Sequence, residues 1–115
     1  MIRKNNDRVI TKKEAMRDGP GSVIQKEVVS KEEMCDKARL FTEITLKENC
    51  GIGYHVHENE EEVFVITEGK GIYNDNGKEV EVFKGDVMLC KSGEGHAMTN
   101  PYKEDLIYTA LIILL

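Results

Sequence analysis

Residues 55–66 read His-Val-His-Glu-Asn-Glu-Glu-Glu-Val-Phe-Val-Ile, and the alternation inside this stretch decides the fold. His55 and His57 lie two apart on an expected strand, and side chains at i and i+2 of a strand share a face. Both imidazoles therefore enter one volume. Glu58 to Glu62 form an acidic turn that leads into the apolar strand Val63-Phe64-Val65-Ile66. Glu62 shares the alternation of Phe64 and Ile66, so it faces inward, where an unpaired carboxylate is costly. A cation resolves that cost. Further along the chain, His96 follows the turn Lys91-Ser92-Gly93-Glu94-Gly95 and precedes Met98 and Asn100 on its own face.

Working outward, the chain is a series of short runs, mostly rich in β-branched or aromatic residues: 23–29, 38–46, 52–57, 62–67, 71–73, 80–83, 87–90, 96–99 and 106–114. Gly, Asn, Asp or Glu clusters separate them, as expected of strands joined by turns. Asp75-Asn76-Gly77 is a hairpin turn, because type I′ geometry requires positive φ and Asn-Gly tolerates it. Strands at this spacing predict an all-β sandwich or barrel. Thr11 to Asp18 reads as a short helix, with Thr11 as N-cap, Glu14 completing a capping box and Gly19-Pro20 ending it. Residues 30–36 read as a loop or a single helical turn.

The chain has 115 residues, enough for one domain, and a formal charge of -5 that argues against a nucleic-acid surface or a polybasic membrane patch. The first residues, MIRKNNDRVITKKEAM, never reach the apolar run of a signal peptide, so a cytoplasmic location is expected. Leu106 to Leu115 is about half the length of a membrane span and reads as a buried final strand. Cys35, Cys50 and Cys90 show no CxxC spacing, so free thiols are expected rather than a disulfide framework, a zinc knuckle or a nucleophile. The glycines match no phosphate-cradling loop. Only three His are present, and all three are already placed above.

These residues resemble the cupin superfamily. Its first motif, G(X)5HXH(X)3-4E(X)6G, is met by His55, His57, Glu62 and Gly69, with Asn49 in place of the opening Gly. Its second, G(X)5PXG(X)2H(X)3N, is met by Gly85, Gly93, His96 and Asn100, with Lys91 in place of the Pro. Asn is the next best residue for a left-handed turn, whereas Lys91 leaves that loop's rigidity open. The resemblance implies an antiparallel double-sheet jelly-roll barrel over residues 37–115, with residues 1–36 as an N-terminal extension carrying the short helix and first strand. It also implies one divalent metal held by His55, His57, Glu62 and His96. Three imidazoles and a carboxylate suit Mn, Fe, Ni, Co, Cu or Zn, and ligand softness does not choose among them. On a metal that prefers six ligands, two adjacent positions then remain for water, substrate or dioxygen. Glu60 and Glu61 are the alternatives to Glu62. An isolated His is more often an ordinary core or surface residue and an acidic run a solvated face, but four prescribed positions filled together favour the metal.

Around the site, Arg39, Phe41 and Glu43 share one face of their strand. If that face lines the barrel mouth, Arg39 meets an anionic substrate and Glu43 acts as base; a salt-bridged outer face is the favoured alternative. Tyr54, a second candidate acid or base, faces away from His55 by alternation. Phe64, Met88 and Met98 form an apolar pocket wall or plain core, and Asn100 completes the pocket set. Two functions fit. One is a metal-dependent enzyme on a small polar or anionic metabolite, of isomerase, decarboxylase or dioxygenase type. The other is a non-catalytic small-molecule binding or sensing module, since one fold serves many chemistries. The apolar last strand predicts a homodimer formed by strand exchange or sheet packing.

Overall fold

The Asn-Gly turn is built as expected: Asn76 and Gly77 have φ of 53° and 98° and join two antiparallel strands, Lys70–Asp75 (β6) and Lys78–Phe83 (β7). The computed structural model describes all residues, Met1–Leu115. The other strands are β1 (Ile10–Glu14), β2 (Ser22–Glu27), β3 (Ala38–Leu46), β4 (Cys50–Val56), β5 (Glu60–Glu68), β8 (Val87–Cys90), β9 (Gly95–Asn100) and β10 (Leu106–Leu114). They form two antiparallel sheets, ordered β1-β2-β3-β10-β5-β8 and β4-β9-β6-β7. This is the expected all-β double-sheet barrel. No helix is long and apolar enough to cross a membrane.

One element differs from the sequence reading. Residues 11–18 are not a helix: Ile10–Glu14 is a strand, and only a 3-10 turn, Met16–Asp18, follows it. β1 pairs with β2 in full register from Ile10↔Lys26 to Glu14↔Ser22, so ladder hydrogen bonds outweigh the local capping-box signal. Residues 30–36 contain a single 3-10 turn, Glu32–Met34.

Core residues come from the inner faces of both sheets: Val23, Ile44, Leu46, Phe64, Ile66, Leu106, Tyr108 and Ala110 from one, Ile52, Tyr73, Val82 and Met98 from the other. β10 runs between β3 and β5, and its residues 106, 108, 110 and 112 are at most 3% exposed while those between face outward. The phenol oxygen of fully buried Tyr108 has no hydrogen-bond partner.

Of the three bulges that interrupt the ladders, one skips Thr67 on β5 and the other two border the site. On β4, Ile52 pairs with Met98 but His55 pairs with His96, which inserts one residue around Gly53 and Tyr54. On β3, Ile112 pairs with Leu40 and Ile113 with Ala38, so Arg39 is skipped. A bulge bends its strand and re-aims a side chain, and both lie beside the histidines.

Candidate metal centre

The β4 bulge lets Ile52, His55 and His57 all face the barrel interior, while Tyr54 and Val56 are about half exposed. Gly53 makes it possible: the Arg17 backbone crosses directly over it, and a Cβ there would meet Arg17 C at 2.9 Å and Gly19 N at 3.0 Å. β9 brings His96 opposite His55, and β5 brings Glu62 inward beside Phe64. One ligand atom from each of His55, His57, Glu62 and His96 then falls within 4.8 Å of the others.

The spacing inside this group is tighter still. His57 Nε2 is 3.1 Å from His96 Nε2, and each is 3.0 Å from Glu62 Oε1. Donor atoms about 2.1 Å from one centre and at right angles stand about 3.0 Å apart, so these three fit the corners of one coordination sphere. Each imidazole is oriented from its far side. His55 Nδ1 donates to Gly53 O at 2.7 Å, His57 Nδ1 lies 2.5 Å from Glu60 Oε2, and His96 Nδ1 lies 2.7 Å from Tyr73 Oη. The carbonyl behind His55 and the carboxylate behind His57 hold a proton at Nδ1, so a cation can replace any proton at Nε2, while the Tyr73 hydroxyl can donate to or accept from His96 Nδ1. Phe64 stacks on His96 at 5.0 Å and fixes that ring from the core side. The donor chemistry and the convergence therefore fit a metal, and the four residues could hold one ion.

The electrostatics agree. Burial pushes the Glu62 carboxyl up, but hydrogen bonds and charge from His57 and His96 outweigh it and leave the group below the usual carboxylate range. The hydrogen bond that His57 donates to the Glu62 carboxylate raises His57, whereas burial lowers His55. Arg39, then His57, holds the Glu60 carboxyl down to about 2. Glu60 accepts two hydrogen bonds from the Arg39 guanidinium, both of 2.7 Å. It therefore braces His57 from behind, and the converging group contains Glu62, not Glu60 or Glu61.

A cavity of about 90 Å³ opens on this cluster. Its apolar walls are Met16, Leu40, Ile44, Ile52 and Ile112, and its polar lining beyond the cluster is Lys13, Arg17, Gln25 and Arg39. Of the pocket residues expected from sequence, only Arg39 lines it. The inward face of β3 is Leu40, Thr42 and Ile44, so Phe41 and Glu43 lie on the opposite face, whereas Arg39, at the bulge, lines the cavity and pairs with Glu60 behind His57. Phe64, Met88 and Met98 are core residues. Asn100 is four residues beyond His96 and wholly buried, where its amide donates to Leu46 O and Glu104 O and so ties two loops. Tyr54 packs its ring on Gly95, outside the cavity. Burial pushes the Cys90 thiol up to about 11, which removes it as a nucleophile near neutrality.

Lys13, Arg17 and Gln25 were not expected, because their segment reads as an extension with a helix. Glu60 and Tyr73 were missed as the rear partners of His57 and His96. A rule that every metal-bound imidazole needs an acceptor behind it would have directed attention to Glu60, three residues from His57. The turn before His96 is held without the motif's Pro: Glu94 N donates to Lys91 O, and the Glu94 carboxylate accepts from Lys91 N. Asn49 takes the left-handed φ of 62° that the missing Gly would have taken.

A family model described as the cupin domain matches residues 42–113. The chain belongs to the cupin family. It is 44% identical over 100 residues to an oxalate-binding protein of Thermotoga maritima, covering 87% of this chain and 83% of that one. A crystal structure of a predicted oxalate decarboxylase from the same organism superposes with a TM-score of 0.95 at 39% identity, covering 100% of both chains. The fold also recurs in a conserved Klebsiella pneumoniae protein with a double-stranded β-helix domain: TM-score 0.72, 18% identity, 98% of this chain and 89% of that one.

Proposed function

We propose that this cupin binds one divalent transition metal through His55, His57, Glu62 and His96 and uses the cavity beside it to capture a small carboxylate anion of the oxalate class. The observation that carries this reading is the composition of the cavity: a cluster of metal-ligating groups and three cationic side chains, Lys13, Arg17 and Arg39, line one space of about 90 Å³. On this measure an ordered water needs about 10–15 Å³, so the space takes a small ligand. Lys13 and Arg17 form no ion pair, which leaves their charge free for an anion. The relatives' names, oxalate-binding protein and predicted oxalate decarboxylase, support the same ligand class.

A bound divalent ion would supply Lewis acidity toward a carboxylate oxygen. The protein's own groups do the rest. Glu60, Gly53 O and Tyr73 fix the three imidazoles, the apolar wall restricts water, and Arg39 offers a planar donor pair at the rim. Capture is favoured over turnover because neither Glu43 nor Tyr54 lines the cavity, and Glu60 is committed to Arg39 and His57. Decarboxylation is the second reading, favoured by the name of the solved relative. The homodimer is proposed to form through the outer face of the six-stranded sheet, where Val65, Val87, Leu89 and Ile113 are 37–63% exposed. Light scattering at low protein concentration tests it, and a monomer mass overturns it.

The decisive experiment is elemental analysis of protein purified without added metal, alongside His57→Ala and His96→Ala, followed by calorimetric titration with oxalate. Near-stoichiometric metal in the parent and its loss in both variants are expected. Equal metal content in all three would overturn the site. Turnover of oxalate by the metal-loaded parent would replace capture by the decarboxylase reading.

A further inference from the structure

Four inward positions form a row across the six-stranded sheet, Ile66, Tyr108, Ile44 and Gln25, each the register partner of the next. The first three are at most 1% exposed. An apolar side chain at position 25 would continue the core to Thr11 on the edge strand. An amide stands there instead, only 8% exposed, and its Nε2 has no hydrogen-bond partner. Folded proteins retain few buried donors in this state, because each has lost water without gaining an acceptor.

The same side chain lines the cavity beside the metal cluster. The one carboxylate lining that cavity belongs to Glu62, which already serves His57 and His96. The other charged lining groups, Lys13, Arg17 and Arg39, are donors. No group of the chain accepts from Gln25 Nε2, although Gln25 also lines a second cavity with Glu27 and Thr42, and a ligand beside the cluster can supply the acceptor. We propose that Gln25 is a specificity-determining residue, whose Nε2 donates to a carboxylate oxygen of the bound anion. Gln25 is on β2 and Glu62 on β5, with β3 and β10 between them, so the amide meets a different part of the ligand from the part at the cluster. Because both side chains nevertheless converge on one cavity, an anion with a second carboxylate can meet the amide while its first meets the cluster, which an anion with a single carboxylate does less well. The inference rests on the carboxylate reading of the site above.

The test is calorimetric titration of oxalate, and of formate as a single-carboxylate control, into the Mn²⁺-loaded full chain and its Gln25→Leu and Gln25→Glu variants. Metal content and the melting temperature of each protein are measured in parallel. Gln25→Leu is expected to weaken oxalate binding about tenfold or more, the size of one hydrogen bond to a charged group, with formate much less affected. Its metal content stays at the parent value and its melting temperature equals or exceeds the parent's, since the orphaned donor is gone. Gln25→Glu, which keeps the shape and adds repulsion, is expected to bind oxalate more weakly still. Oxalate affinity unchanged in both variants overturns this inference alone. Weakened binding accompanied by lost metal or a lowered melting temperature in both variants assigns Gln25 to the scaffold and also overturns it. A parent protein that binds neither oxalate nor formate overturns the carboxylate reading and this inference together.

Discussion

Glu60→Gln tests whether the far side of an imidazole matters to the metal site. The native carboxylate lies 2.5 Å from His57 Nδ1 and takes two 2.7 Å hydrogen bonds from Arg39. Gln has nearly the same shape and can still accept from Nδ1 through its carbonyl oxygen. It loses the charge, however, and charge-assisted hydrogen bonds are about twice as strong as neutral ones. It also cannot accept both Arg39 donors. His57 then becomes a poorer ligand, less firmly oriented and less basic. Removing such an outer partner weakens metal binding about 10- to 100-fold, and because one neutral hydrogen bond survives the lower end applies, about tenfold or 1.4 kcal/mol. The Arg39 side chain is 36% exposed, so its loss of a partner costs the fold no more than about 1 kcal/mol. Competition of Mn²⁺ or Co²⁺ against a chromophoric chelator measures the affinity, and thermal melting of the chelator-treated protein measures the fold. A metal dissociation constant unchanged in Glu60→Gln refutes the orienting role. A large drop in metal-free melting temperature reassigns the pair to stability.

Gly53→Ala places a Cβ against the Arg17 backbone, which has no flexible end to yield; overpacking of this kind costs about 1–3 kcal/mol. At about 4 °C per kcal/mol the melting temperature falls by about 4–12 °C, and a fall of less than 2 °C by calorimetry would show that the crossing is loose. Tyr108→Phe removes a buried phenol oxygen that has no partner, so stability is expected to hold or rise by up to about 1 kcal/mol in a denaturant melt; a loss above that would reveal an unrecognised partner. With the Cys90 thiol pushed up from 9.0 to about 11 by burial, its thiolate at pH 8 is about a thousandth of the total. A thiol reagent at that pH is therefore expected to modify exposed Cys35 first and Cys90 only on unfolding, and peptide mapping that finds Cys90 labelled early would contradict it.

The cluster was legible because strand alternation survives where it counts. From Glu62 to Ile66 the period of two is unbroken, so Glu62 could be placed inward from Phe64 alone. His57 and His96 followed from the same rule. The strands at 38–46, 87–90 and 106–114 were bounded as found, since their β-branched or aromatic runs end at turn residues. Reading failed where the period breaks. Arg39 faces the cavity only because β3 bulges at that residue, and no composition signal marks the bulge. On the N-terminal segment, Thr11 and Glu14 fit a capping box, but β2 offered a complete ladder to the same residues. Local signals at the start of a chain compete with a partner strand that the local sequence does not display.

That misreading hid the wall of the cavity. β1 and the turn after it carry Lys13, Met16 and Arg17, and β2 carries Gln25. The segment is pinned by backbone on backbone: a Cβ at Gly19 would meet Gly51 O at 2.5 Å and Gly53 N at 2.6 Å. It crosses β4 two residues before His55, and the Gly53 carbonyl oxygen itself accepts from His55 Nδ1. The candidate ligand His55, the bulge and the cationic wall are thus joined at one glycine. Left-handed, non-glycine backbone at Ala15, Arg17 and Asp18, with φ of 48°, 53° and 61°, concentrates strain in the same few residues. Such strain persists only where surrounding contacts over-determine it, and here they do so beside a cavity rather than in the core. The N-terminal segment therefore forms part of the cavity wall, and on the proposed carboxylate reading changes there are expected to weaken oxalate binding by calorimetry while metal content stays at the parent value.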